Sequence, residues 1–98
     1  MTYSFHPEAR SDLNQAVDYY EDCQSGLGSK FLDEVEAVIK RILLHPKAWS
    51  KLSRRTRRCL TNRFPYGIIY QTQENHVRII AVASSHRRPD YWDDRLDS

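Results

Sequence analysis

Two cationic clusters hold the side chains best suited to chemistry on a phosphate. Arg57, Arg58 and Arg63 stand in the middle of the chain, and His86-Arg87-Arg88 comes shortly before Tyr91 and Trp92. Metal-independent cleavage of RNA needs a base to take the 2′-hydroxyl proton and an acid to protonate the leaving oxygen. It also needs cations where negative charge grows on the phosphate. His86 alone among these residues has an intrinsic pKa near neutrality, so it is the candidate acid or base. Arg58, Arg63 and Arg87 are the candidate catalytic cations, and Tyr91 could orient the histidine, donate a proton or stack on a base. The same set reads equally well as a binding surface. On that reading Arg54, Arg55, Arg57, Arg58 and Arg88 contact phosphates or an acidic partner, and His86 is a solvated residue at a strand end. Trp92 is then either a lid on a sheet or an exposed stacking platform.

The distribution of charge sharpens this. The 98 residues sum to only +2, but the total hides three blocks. Residues 1–39 carry two basic side chains (Arg10 and Lys30) and eight acidic ones, a balance of −6. Residues 40–88 carry twelve basic side chains against Glu74 alone, a balance of +11, and the last ten residues return to −3. An excess that concentrated points to a polyanionic or nucleoprotein partner for the middle of the chain.

Other chemistries find no support. His6, His45, His76 and His86 have no spacing suited to a metal site, and no cysteine pair accompanies them. No phosphate-cradling GxxxxGK[ST] motif occurs, so neither a metal nor a cofactor is expected. Cys23 and Cys59 read as reduced thiols of a cytoplasmic protein. The N-terminus lacks a signal-peptide pattern, and no apolar run approaches the roughly 18 residues that would span a membrane.

The elements that must position the clusters follow from periodicity. Thr2–Phe5 suits a short strand. Ala9, Leu13, Ala16, Val17 and Tyr20 then mark one face of a helix opening at Pro7 and ending near Gln24. After the Ser25–Gly28 turn, Phe31, Val35, Val38, Ile39 and Ile42 repeat the spacing in a second helix that stops at His45, ahead of Pro46. Arg57–Phe64, Tyr66–Thr72 and Val77–Ser84 are rich in β-branched and aromatic residues and predict three strands. The last two are joined by a tight turn in which Asn75 could take the left-handed conformation. Adjacent Ile68-Ile69 and Ile79-Ile80 place apolar groups on both faces of the sheet. Pro89 could start a final short helix containing Tyr91, Trp92 and Arg95. The expected architecture is α+β, one domain over residues 1–98 in the order β-α-α-β-β-β-α, with a helical hairpin on one face of a mainly antiparallel sheet. If the first and last of the three strands are neighbours, the two cationic clusters converge at one edge.

Four segments resemble the RelE/ParE superfamily of type II toxins: "FHPEARSDLNQAVDYYE", "GLGSKFLDEVEAVIKRI", "RRCLTNRFPYGIIY" and "AVASSHRRPDYW". The last two, in that order and at that distance, are the more specific. The resemblance implies a growth inhibitor of the plasmid-stabilisation kind, held silent by a cognate antitoxin. Its target would be either DNA gyrase or mRNA on the ribosome, the latter cut by an endoribonuclease. Two positions depart from the nuclease pattern. Many relatives place a histidine where this chain has Ser84, and His86 falls about where the best-known nucleases carry a catalytic arginine. Those nucleases also carry an arginine directly after the tyrosine that opens the middle strand, and here Tyr66 is followed by Gly67. The expectation is therefore a gyrase inhibitor, with the endonuclease as the alternative.

Overall fold

The computed structural model describes residues 1–88 and 90–96. Helix α1 (Pro7–Cys23) begins where the His6 ring accepts the Glu8 backbone N–H at Nδ1, 3.0 Å away, and Pro7 forfeits no bond at the first helical position. Helix α2 (Leu27–Leu44) is capped from its neighbour, because the Glu21 carboxylate accepts the N–H groups of Gly26 and Gly28 at 2.9 and 3.1 Å. The two helices touch closely at this turn. A Cβ at position 28 would lie 2.7 Å from the Val17 carbonyl oxygen, so only glycine allows the approach.

Five strands form one sheet: β1 (Thr2–Phe5), β2 (Ser50–Lys51), β3 (Arg57–Leu60), β4 (Tyr66–Gln73) and β5 (His76–Ser84), in the order β1-β5-β4-β3-β2. All pairings are antiparallel except β1 on β5, which is parallel, with Thr2 opposite His76 and Phe5 opposite Ile79. The α+β class and the helical hairpin over a mainly antiparallel sheet are as the sequence predicts.

Four local expectations need correction. The strand expected to reach Phe64 stops at Leu60, because the Thr61 hydroxyl folds back to donate to the Phe64 carbonyl at 2.6 Å. The N–H groups of Asn62 and Arg63 go to the Glu34 carboxylate instead of a neighbouring strand. In the β4–β5 turn the left-handed residue is Glu74 (φ 52°), not Asn75. The expected terminal helix is a single 3-10 turn, Asp93–Arg95, which Tyr91 and Trp92 precede; Pro89, its expected start, lies outside the described residues. Finally, β3 and β5 are not neighbours, since β4 runs between them.

The core lies between the hairpin and the sheet. Leu13 and Ala16 of α1, with Phe31, Val35, Ile39 and Ile42 of α2, pack on Cys59, Ile68, Tyr70, Val77 and Ile79. Val17, Tyr20, Phe64 and Tyr66 are half-buried around this cluster, and Phe31 meets the Phe64 ring edge-on at 5.0 Å between centroids. The adjacent isoleucines divide as expected: Ile68 and Ile79 face the helices, while Ile69 and Ile80 face the other way. A bulge in β5 between the Ile69 and Tyr70 pairings shifts the register there. On that second face, residues 90–96 return across the sheet and lay Trp92 on Ile69, Ile80 and Ala81.

Candidate functional site

Strand β1 ends opposite Ile79, so the second half of β5 has β4 on one side and no strand on the other. Side chains close the gap. Arg95 Nη1 donates to the Ile80 carbonyl at 3.0 Å, and the Asp12 carboxylate of α1 accepts the Val82 N–H at 3.1 Å. Asp12 also takes Arg95 Nη1 at 2.7 Å, Arg95 Nη2 at 3.3 Å and the Tyr91 hydroxyl at 3.2 Å. The Arg95 and Asp12 side chains are only 8% and 10% exposed. This paired, hydrogen-bonded ion pair therefore fastens the C-terminal segment to α1 and to the edge of β5. The guanidinium groups of Arg87 and Arg95 lie over the Tyr91 ring, at 4.0 and 5.1 Å from its centroid.

Beside this latch, on the face of the sheet away from the helices, runs a groove of about 440 Å³. Its floor is Ile69 and Gly67 of β4 with Ala83 and Ser84 of β5, and its walls are Leu52, Leu60 and Arg58 on one side and Tyr91 and Trp92 on the other. Gly67 decides the shape of the floor. A Cβ there would sit 3.0 Å from both Cγ and Cδ of Arg58, so the absent side chain makes room for the arginine stem. An arginine at 67 would compete for the space that Arg58 occupies.

The groove gathers some of the sequence candidates and excludes others. Arg58, Arg87, Arg88 and Tyr91 line it, with Arg88 paired to Asp90 at 3.2 Å. His86 is exposed and does not line it; its backbone N–H donates to Ser84 Oγ at 3.1 Å. Arg63 turns toward α2, its Nε 3.6 Å from the Glu34 carboxylate. Arg57 belongs to the opposite end of the sheet, donating to the Trp49 carbonyl at 2.9 Å. Arg54 and Arg55 are exposed on the β2–β3 turn, where Arg55 reaches the Leu96 carbonyl at 3.3 Å. The two clusters meet only in part: β4 separates their strands, and of the first cluster Arg58 alone joins Arg87 and Arg88 in the groove. Trp92 is the lid: at 5% exposure it offers no free stacking face.

Electrostatics limits what the groove can do. Burial pushes the Tyr91 hydroxyl up to about 12, and the Asp12 carboxylate that accepts its proton adds to the shift. Burial likewise raises Tyr66. Both are neutral hydroxyls at physiological pH and poor proton donors or acceptors in a reaction. Among the described residues no cluster of His, Cys, Asp and Glu could hold a metal ion. The arrangement is an apolar trough edged by Arg58, Arg87 and Arg88 and by Asp90 and Asp93, fitted to binding. Asp12 and Arg95, which hold it together, were not legible as a pair: each sits in an ordinary amphipathic or terminal segment, 83 positions apart.

Residues 3–89 match the model of a family described as the ParE toxin of the type II toxin–antitoxin system parDE. The fold is shared with a solved chain of the "Chromosomal ParDE TA system from P. aeruginosa" at a TM-score of 0.75 and 15% identity, over 86% of this chain and 95% of that one. No curated protein matches the sequence. No helix among the described residues is long and apolar enough to cross a membrane.

Proposed function

The chain belongs to the ParE toxin family of type II toxin–antitoxin systems, and on that premise we propose that it arrests growth by binding DNA gyrase, not by cutting RNA. One observation carries the choice: neither proton-transfer candidate, Tyr91 or His86, is poised in the groove, whose carboxylates are Asp93 and Asp90, the latter paired to Arg88 at 3.2 Å. Tyr91 is locked to Asp12 with its pKa near 12, and His86 stands outside. Cations alone can hold a phosphate or a carboxylate, whereas cleavage also requires acid and base.

A cognate antitoxin is the second partner. Leu44, Tyr19 and Leu60 are 73%, 61% and 56% exposed, apolar positions on α2, α1 and β3 that an extended, disordered antitoxin segment could cover as it orders on binding. Charge-assisted contacts to Arg54, Arg55, Arg57 and Arg58 would steer its association and make the rate salt-sensitive.

The test runs the protein in a gyrase supercoiling reaction and, separately, in a reconstituted translation system. Inhibited supercoiling with intact mRNA is the expected result, with His86→Gln as potent as the wild type. New mRNA 5′ ends at the ribosomal A site, lost in His86→Gln, would overturn the reading.

A further inference from the structure

We propose that a basic notch at the far end of the sheet binds the phosphodiester backbone of a nucleic acid. This goes beyond the inhibitory target above and does not depend on it. β3 begins at Arg57, opposite Tyr70, whereas β4 runs on to Gln73. The three extra residues and the β2–β3 turn enclose a space of about 370 Å³. The groove described above meets β4 at its other end, at Gly67 and Ile69, so the two sites are separate.

Four cations line the notch, Lys51, Arg54, Arg55 and Arg57, and no carboxylate does so among the described residues. Lys51, Arg54 and Arg57 have no ion-pair partner among those residues. Like charges held this close repel, and an anion between them relieves the repulsion. The scaffold is fixed in advance. Thr56 is buried, its hydroxyl is 2.7 Å from Ser53 Oγ, and its carbonyl accepts the Leu52 N–H at 3.0 Å. Ser53 Oγ in turn accepts the Arg55 N–H at 3.2 Å. A turn stapled in this way fixes the backbone from which the arginines project, so that only their side chains are left to order on binding.

The remaining lining selects the class of anion. Gln71, Thr72 and Gln73 supply neutral hydrogen-bonding groups, and no aliphatic residue takes part. A peptide gains its affinity from apolar or aromatic anchors; the notch offers only Tyr70, fully buried with its hydroxyl on the Pro46 carbonyl, whereas the groove has Leu52, Leu60 and Ile69. A phosphate–sugar chain asks only for cations and donors. The space equals about a dozen water volumes of ~30 Å³, enough for a phosphodiester and part of its sugars.

Fluorescence anisotropy with a short duplex DNA, a single-stranded RNA and poly-glutamate tests the proposal. If Lys51, Arg54 and Arg57 each neutralise one phosphate, raising salt from about 50 to about 200 mM should weaken duplex binding roughly 40-fold more in the wild type than in Lys51→Gln/Arg54→Gln/Arg57→Gln. The double variant Lys51→Gln/Arg54→Gln leaves the Arg57 bond to Trp49 intact and should lose roughly 10-fold of that dependence. Arg58→Gln/Arg87→Gln, in the groove, should keep the wild-type slope. Binding of either nucleic acid with this pattern supports the proposal, and the two arms show whether DNA or RNA is preferred. An unchanged slope in folded double and triple variants, or binding to poly-glutamate alone, would overturn it. Wild-type protein that leaves supercoiling untouched would remove the gyrase reading while the salt slopes stand.

Discussion

Replacing Asp12 with alanine should release the C-terminal segment. Removing one member of a buried ion pair costs about 3–5 kcal/mol when the other charge is stranded. Here the remaining charge would be Arg95, 8% exposed, which keeps the Ile80 carbonyl and Glu8 at 3.8 Å among its contacts. The Val82 N–H would lose its acceptor as well, for about 1–3 kcal/mol. The segment has an escape, because residues 90–96 can lift off and let the guanidinium hydrate. Lifting exposes Trp92, which amounts to about 1.5–3 kcal/mol for one large apolar side chain, together with part of Ile69 and Ile80. The smaller loss wins. Asp12→Ala should therefore cost about 3 kcal/mol and free the tail, a large share of the 5–15 kcal/mol typical of a domain. Urea denaturation measures the first part. Iodide quenching in a Trp49→Phe background, where Trp92 is the only indole, measures the second. Glu8→Ala is the control, since Glu8 is 65% exposed and the pair should be worth less than ~1 kcal/mol. Asp12→Ala/Arg95→Met should recover part of the loss by removing the remaining charge. An Asp12→Ala protein as stable as the wild type, with Trp92 still shielded, would refute the account of the latch.

Three further outcomes follow from the same geometry. Burial, with the Arg78 charge second, lowers the His6 pKa below 6.5, and Nδ1 must stay unprotonated to accept the Glu8 N–H. Its contribution is thus present above about pH 6.5 and lost as pH falls below it, and His6→Asn, an untitratable cap, should flatten the urea midpoint across that range. Burial pushes Tyr70 and Tyr91 to about 12, so their contribution is complete below about pH 10 and lost between 10 and 12. In an alkaline absorbance titration, Tyr70→Phe and Tyr91→Phe should each delete one late-titrating tyrosine. Glu34→Ala should destabilise by about 1–3 kcal/mol for each orphaned N–H of Asn62 and Arg63. Arg63→Ala, whose side chain is 72% exposed, should stay within ~1 kcal/mol of the wild type in the same denaturation experiment.

The helices were legible because their apolar residues recur with one period and their ends carry Pro7, Gly28 and Pro46. The central strands were legible through β-branched pairs such as Ile68-Ile69. Strand β2 has two residues, too few to display any period, and β1 gives no sign that it pairs in parallel. Arg57–Phe64 looked like one strand because propensity does not register the Thr61 hydroxyl, which ends the ladder at Leu60. The site was legible as composition but not as assembly. Arg58, Arg87, Arg88 and Tyr91 do share a groove, yet the relation of β3 to β5 rests on which strand lies between them. Sequence order alone did not decide that. Gly67 was visible as a departure from a pattern; that its missing side chain houses Arg58 is a fact of packing.

Strand β5 is joined on one side by Thr2–Phe5 and, further along, by the side chains of Asp12 and Arg95. Thr2 pairs with His76 across 74 positions, and Arg95 reaches Asp12 across 83. Closing such long loops is entropically slow, and the contacts repay it only once both ends have arrived. The sheet edge therefore cannot be sealed until residues 90–96 have joined it. Until Arg95 docks, the Ile80 carbonyl lies on an open strand edge, able to pair with another chain. The contact made by Arg95 is the one that ends this exposure.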